Sequence, residues 1–239
     1  MKKYYRIAGL CVAMDSFGKT EKQAKDYLIT ENDPPTPDIQ IVSNRQKLMS
    51  ECPYLGEDSC EYLSTGNSFY RQLIDHNGLL IHSSAVVMDG KAYLFSAPCG
   101  TGKSTHTALW QEVFGRERAR ILNDDKPAVR LENGEFFAYG TPWSGKTDLN
   151  INMRVPLAGI CMLRRGTENK IKPFGGAMAL HAILEQTARS KDADFTVKLL
   201  DLLEKLFISV PVWQLECNME PEAALVSYNA MSKGFENNK

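Results

Sequence analysis

Ala97-Pro98-Cys99-Gly100-Thr101-Gly102-Lys103-Ser104, followed by Thr105, is one of two stretches in this 239-residue chain that read as G-x-x-x-x-G-K-[ST]. The other, Gly140-Thr141-Pro142-Trp143-Ser144-Gly145-Lys146-Thr147, fits letter for letter, whereas the first opens on Ala97 in place of Gly. The flanks decide between them. Such a loop works where a buried strand ends in a glycine turn and opens directly into a helix. The helix's unpaired N–H groups and positive dipole end then hold phosphate. Residues 91–96 ahead of the first stretch read as a strand. Residues 104–114 after it read as a helix stopped by Gly115, with Thr105, Leu109 and Val113 on one face and Ala108 beside them.

The second stretch also follows a strand, residues 135–139, but what comes after it is different. Leu149, Ile151, Met153 and Val155 alternate with polar residues, the period of a strand. No helix N-terminus is expected at Lys146. The second match is therefore set aside as a Walker A loop, although its lysine is kept as a residue near the phosphates.

Composition bounds the rest. The chain is 43% hydrophobic, with 28 Lys and Arg against 29 Asp and Glu and a formal charge of −1. That suits a folded protein with one main core and no global basic field for nucleic acid or an acidic membrane. No apolar run reaches membrane-spanning length, and residues 1–14 read as a first strand rather than a secretion signal. The six cysteines (11, 52, 60, 99, 161 and 217) show neither a C-x-x-C pair nor zinc spacing. They read as reduced thiols in a cytoplasmic protein.

Along the chain, residues 1–65 read as a small β-rich extension. It has short strands at 4–13 and 39–42, separated by a Pro-rich turn at 33–37. Residues 66–232 form the core and 233–239 a loose tail. Within the core a helix is expected from Ser68 to Asn77-Gly78, and a strand over 79–88. Asp89-Gly90 marks a tight hairpin turn into the strand at 91–96. A short strand at 119–123 ends at Asp124-Asp125. A hairpin at 128–139 turns on Asn133-Gly134, and strands follow at 149–155 and 157–163. The remainder reads as helical: Leu180, Ile183, Leu184 and Thr187 share one face, and Phe195, Leu199, Leu202 and Leu206 another. An edge strand at 211–217 and a last helix from Pro221 to about Met231 complete the chain. The two hairpins make the sheet mixed or antiparallel around the loop, unlike the crossover-linked parallel sheets of commoner nucleotide-binding folds.

Paired acids at the end of a buried strand suit a Walker B position. One carboxylate can hold Mg²⁺ opposite the Ser104 hydroxyl, and the other can accept a proton from an incoming hydroxyl. With these residues in place, residues 79–165 resemble the HPr kinase/phosphorylase family. Its catalytic domain shares the phosphoenolpyruvate-carboxykinase-like fold, an α/β (α+β) P-loop core on a mixed sheet. The resemblance rests on a strand carrying His82, a tight turn, the Gly100–Ser104 G-x-G-K-S loop and the Asp124-Asp125 strand end. The chain resembles more closely still the short HPr-kinase-like proteins that share the T-P-W-S-G-K segment and a helical C-terminal part. The family's Glu-x-Arg-Gly signature is not reproduced at 139–142, nor is its N-terminal domain.

The resemblance implies an ATP- and Mg²⁺-dependent kinase with catalytic Asp124, His82 and Lys103. Asp124 would be the base, supported by His82, and Ser104 with Asp125 would bind metal. The nucleotide would be held by Ala97, Pro98, Cys99, Gly100, Thr101, Gly102, Lys103, Ser104 and Thr105. Lys146 and Arg154 are candidates for offsetting phosphate charge. Trp143 either stacks on adenine or packs. Alkylation of Cys99 is expected to block nucleotide binding. His76, His106 and His181 read as structural. The acceptor would be a hydroxyl, a serine on a small protein or peptide. A small-metabolite kinase and a non-catalytic ATP-binding module stay open as alternatives, as does assembly into a homo-oligomer.

Overall fold

The computed structural model describes residues 2–31 and 35–236. Of the expected Pro-rich turn, Asp33 and Pro34 lie outside the described residues, as do residues 237–239 of the expected tail. Lys233 is part of the last helix rather than of a loose end.

The chain begins with a three-stranded sheet. β1 (Lys3–Ile7) and β2 (Leu10–Met14) are antiparallel, and β3 (Ile39–Ile41) pairs parallel with β2. One strand over 4–13 was expected. Instead Ala8 and Gly9 both take positive φ, 51° and 78°, and turn the chain back on itself. α1 (Gly18–Gln23) and α2 (Arg45–Glu51) flank β3 in sequence. α3 (Glu57–Leu73) starts well before Ser68, so the boundary drawn at 65/66 falls inside a helix. Its inner face carries Glu61 and Thr65, polar residues that mask the helical period in the sequence.

There follow β4 (Gly78–Leu80), β5 (Ser83–Met88), β6 (Lys91–Ser96), α4 (Lys103–Phe114), β7 (Arg120–Asn123), β8 (Ala128–Glu132) and β9 (Glu135–Tyr139). Then come β10 (Arg154–Arg165), β11 (Lys170–Pro173), α5 (Gly176–Leu184), α6 (Ala193–Ser209), β12 (Val212–Cys217) and α7 (Glu222–Glu236). The strand expected over 79–88 is two strands that part at Ile81 and His82. β4 pairs with β8, while β5 lies between β6 and β7.

These nine strands form one mixed sheet in the order β4-β8-β9-β10-β6-β5-β7, with β12 on β10 and β11 on β12. β12 is thus paired on both sides and is not an edge. The anticipated hairpin turns at Asp89-Gly90 and Asn133-Gly134 all have positive φ. Residues 149–153 are no ladder strand. They are tied to the end of β7 by the Asp124 N–H to the Leu149 carbonyl and the Ile151 N–H to the Leu122 carbonyl. Leu149 faces solvent, so the alternation there does not correspond to one buried face.

Alternation along β5 and β6 divides the core between the two faces of the sheet. Ala85, Val87, Ala92 and Leu94 pack with α5 and α6, where Phe195, Leu199, Leu202 and Leu206 are buried as their spacing predicts. Val86, Met88, Tyr93 and Phe95 pack under α4 and α7. The buried side of α4 carries His106, Thr107 and Trp110, while Thr105 and Ala108 are exposed. Trp110 against Tyr93 (5.1 Å) and Phe95 (5.4 Å) sets that rotation, since a large ring outweighs small side chains in buried area. A third cluster joins the N-terminal strands to α3 and β9, so the small sheet shares a core with the rest. Among the described residues no helix is long and apolar enough to cross a membrane.

Candidate functional site

β6 runs parallel to β10, β10 runs parallel to β12, and β5 is antiparallel to both β6 and β7. The carboxyl ends of β6, β7, β10 and β12 therefore lie on one side of the sheet, together with the start of β5. Ligands of open α/β sheets gather at such an edge. The glycine loop leaves β6 there, His82 precedes β5, and Asp124-Asp125 follow β7.

The loop passes from strand to helix over 97–102. Gly100 (φ 77°) and Gly102 (φ 122°) occupy backbone that side chains rarely tolerate, and α4 begins at Lys103. Ala97 is absent from the positive-φ residues and fully buried, so a methyl group fits where the pattern has Gly. Pro98, Cys99 and Gly100 are exposed, as are Ser104 and Thr105 in the first turn of α4. Lys103 is 8% exposed, and its Nζ donates to the Ala97 carbonyl at 2.9 Å. Burial lowers its pKa, while Asp125 and Asp124 both act to raise it. The lysine thus lies in the field of the acidic pair.

The two aspartates point to different partners. The Asn123 Oδ1 accepts from the backbone N–H groups of Asp125 and Lys126, a tight turn that separates them. Asp124 is 7% exposed and accepts a hydrogen bond from Ser84 Oγ at 2.6 Å. Ser84 is 2.7 Å from Thr107 Oγ1, so Thr107 must donate to it, and Asp124 is linked to the helix that carries Ser104. Asp125 faces the other way, paired with Lys126 and with His82 Nε2 3.1 Å from its Oδ1. His82 therefore supports Asp125, not Asp124 as expected. The break between β4 and β5 permits this, with the His82 N–H on the Gln186 carbonyl (2.7 Å) and its carbonyl taking the Ser96 hydroxyl (2.8 Å). Burial acts to raise the Asp125 pKa, but the hydrogen bond from His82 and the charge of Lys126 win and hold it at about 2.

The second G-x-x-x-x-G-K-T stretch proves to be structural around its glycines. A Cβ on Gly140 would lie 1.9 Å from the Ile151 carbonyl oxygen, and one on Gly145 (φ 74°) 2.9 Å from the Asp125 Cβ. Gly145 therefore lets the chain cross directly over Asp125, which leaves Lys146 exposed on the next residue. Of the two roles open to Trp143, the packing one is what its surroundings show. It is fully buried, stacked on Phe69 at 4.9 Å, with its Nε1 donating to Thr65 Oγ1.

Arg154 is also displaced from the site. It starts β10, whereas Met162 is the residue of that strand level with Ser96. Its guanidinium lies over Phe137 and pairs with Glu132. At the other end of β10, Arg165 donates to the carbonyls of Gly100 and Thr101 and braces the loop. Sequence reasoning missed Arg165, whose strand continues two residues past the expected 163. It also missed Lys19, Tyr62 and Lys126. The Lys19 Nζ is 4.1 Å from the Tyr62 ring centre, that of Lys126 5.2 Å, and the Tyr62 hydroxyl accepts from the Gly145 N–H at 2.8 Å. A cavity of about 420 Å³ opens beside the loop on the β10 and β12 side, lined in part by Leu109, Leu163, Arg165 and Met219. All six cysteines are free, and the described residues contain no cluster of three metal-ligating His, Cys, Asp or Glu.

The Hpr(Ser) kinase/phosphatase from Coxiella burnetii is similar over 64% of this chain and 97% of its own, at 11% identity and a TM-score of 0.38. So slight a likeness decides neither mechanism nor substrate. No curated protein matches the chain. The family model described as SynChlorMet cassette protein ScmC matches residues 60–220, a span holding His82, the glycine loop, both aspartates and Lys146, and the chain belongs to that family.

Proposed function

We propose that the protein is an ATP- and Mg²⁺-dependent phosphotransferase acting on a hydroxyl group. The observation that carries this reading is the meeting, at one edge of the sheet, of a glycine loop opening into α4 and an acidic pair of which Asp125 is braced by His82. The first turn of α4, where Ser104 and Thr105 are exposed, and the glycine turn before it suit the β- and γ-phosphates, with Lys103 beside them. The cavity next to Leu109 and Leu163 is large enough to take the nucleoside.

We assign the two aspartates the reverse of the roles expected from sequence. Asp124 is coupled through Ser84 and Thr107 to the helix of Ser104, so Asp124 and Ser104 are the metal-side oxygens. An all-oxygen donor set with few protein ligands suits Mg²⁺, which keeps waters and substrate phosphates in its shell. When bound, the ion would neutralise charge on the β- and γ-phosphate oxygens. Asp125 is the base. It accepts the acceptor's hydroxyl proton as that oxygen bonds to the γ-phosphorus, the bond to the β–γ bridging oxygen breaks, and ADP leaves. His82 orients the carboxylate.

The acceptor we propose is a serine of a small protein or peptide. Incubation with γ-labelled ATP and candidate peptides, with the phosphosite located by mass spectrometry, tests the reading. Label on a seryl oxygen, lost in Lys103→Ala, supports it. Label on a free metabolite instead makes the protein a small-molecule kinase. Binding of Mg·ATP without turnover on any acceptor makes it a regulatory module.

A further inference from the structure

The acidic pair faces more positive charge than it can balance. Lys126 pairs with Asp125, and Lys22 pairs with Asp148 at 3.1 Å. Lys19 and Lys146 stand in the same field, and neither forms an ion pair among the described residues. Burial lowers the Lys19 pKa, and the positive Lys126 lowers it further, while Asp125 and Asp148 act the other way. A half-buried cation kept beside like charges is a position that an anion would stabilise.

The cations are also held in place. Lys19 and Lys126 both lie on the Tyr62 ring, whose hydroxyl is fixed by the Gly145 N–H. α1 is anchored to the same turn, with Gln23 Nε2 donating to the Gly145 carbonyl at 3.3 Å. Tyr27, just beyond it, donates to Asn150 at 2.8 Å. The N-terminal unit therefore delivers Lys19 to Asp125, on the side away from the cavity beside Leu109. Behind Tyr62 and Lys126 lies a second, smaller cavity of about 180 Å³, bounded by Leu63, Leu80, Trp143 and Ala188.

We infer that Lys19, Lys126 and Lys146 form a subsite for an anionic group, carboxylate or phosphate, carried by the hydroxyl acceptor close to the atom that is phosphorylated. The inference rests on the phosphotransferase reading and gives the N-terminal unit its role in it: that unit completes the acceptor side. The nearby cavity takes a small apolar part of the same acceptor.

The test uses the full chain saturated with Mg·AMPPNP, so that the γ-phosphate position is filled. Inorganic phosphate and acetate are then titrated in separate calorimetric experiments. Saturable binding of at least one is expected, weakened tenfold or more in Lys19→Ala and further in Lys19→Glu, with AMPPNP affinity changed less than twofold. Preference for phosphate identifies a phosphorylated acceptor, and preference for acetate a carboxylate-bearing one. The subsite is overturned if neither anion binds, if binding is equal in wild type and Lys19→Ala, or if Lys19→Ala loses AMPPNP affinity instead. Should AMPPNP fail to bind the wild type, the nucleotide reading falls. The anions are then titrated into the free protein, where Lys19-dependent binding would still support the subsite and its absence would remove it.

Discussion

His82 Nε2 and Asp125 Oδ1 meet at 3.1 Å across the mouths of two strands that are neighbours in the sheet but some forty residues apart in sequence. The pairing distinguishes Asp125 from its neighbour, whose Oδ1 accepts from Ser84. Asp125→Asn is expected to keep Mg·ATP binding within about threefold and to lower the transfer rate by roughly 10²–10⁴-fold, the range of general-base catalysis. His82→Ala should lose less, about tenfold, because in the proposed reading it positions the base rather than touching the reacting atoms. Equilibrium binding and single-turnover assays separate the two effects. With its pKa held at about 2, Asp125 stays ionised across neutral and mildly acid pH. Its folded pKa lies below the ordinary carboxylate value, so the stability it contributes is complete above about pH 4 and is lost as pH falls through 2.

His106 is a buried group whose protonation opposes folding. Its Nε2 is 3.0 Å from Ser227 Oγ, which also accepts from Trp110 Nε1 and donates to the Ala224 carbonyl. The serine's single proton is thus used, so His106 donates through Nε2 as a neutral ring. Burial pushes its pKa down from 6.5 to about 4. In that window the unfolded chain binds the proton and the folded one does not, so stability falls as pH drops from 6.5 toward 4. The loss is on the order of 3 kcal/mol. Urea denaturation of wild type and His106→Gln at pH 7, 5.5 and 4 should show the two stabilities converging as pH falls. Parallel curves would mean that His106 is charged or solvated when folded.

The readable parts of this fold were those governed by local chemistry. Asp89-Gly90 and Asn133-Gly134 fixed two hairpins because I′ turns need positive φ at both central residues. The strand, glycine turn and helix over 91–114 were equally local. What stayed hidden was set by tertiary contact. α3 buries Glu61 against Thr20, so no apolar stripe marked its first half. Trp143 sits in a loop motif that suits a ligand contact, yet Gly66 on α3 leaves the space its indole fills. Lys19 reaches the site from outside the matched family span, through a helix of six residues with no side-chain cap to announce it. Arg154 and Arg165 are both strand arginines, and only the parallel register of β10 with β6 reveals which one lies at the loop.

Gly145 offers the sharpest test of why the second G-K-T stretch exists. Its backbone, at φ 74°, passes so close to Asp125 that an added methyl group would lie 2.9 Å from the aspartate Cβ. Gly145→Ala must adopt a left-handed conformation that costs about 1 kcal/mol or more, and it must also displace either the loop or Asp125. The variant is expected to fold with a lowered melting temperature and to lose phosphotransfer at least tenfold. In the proposed reading Mg·ATP is held by residues 97–105, on the other side of β5, so its affinity should change little. Lys146→Ala leaves the backbone untouched and is expected to melt like wild type. If Gly145→Ala instead abolished nucleotide binding and left stability unchanged, residues 140–147 would be gripping phosphate themselves, and the loop after β6 would have been wrongly preferred.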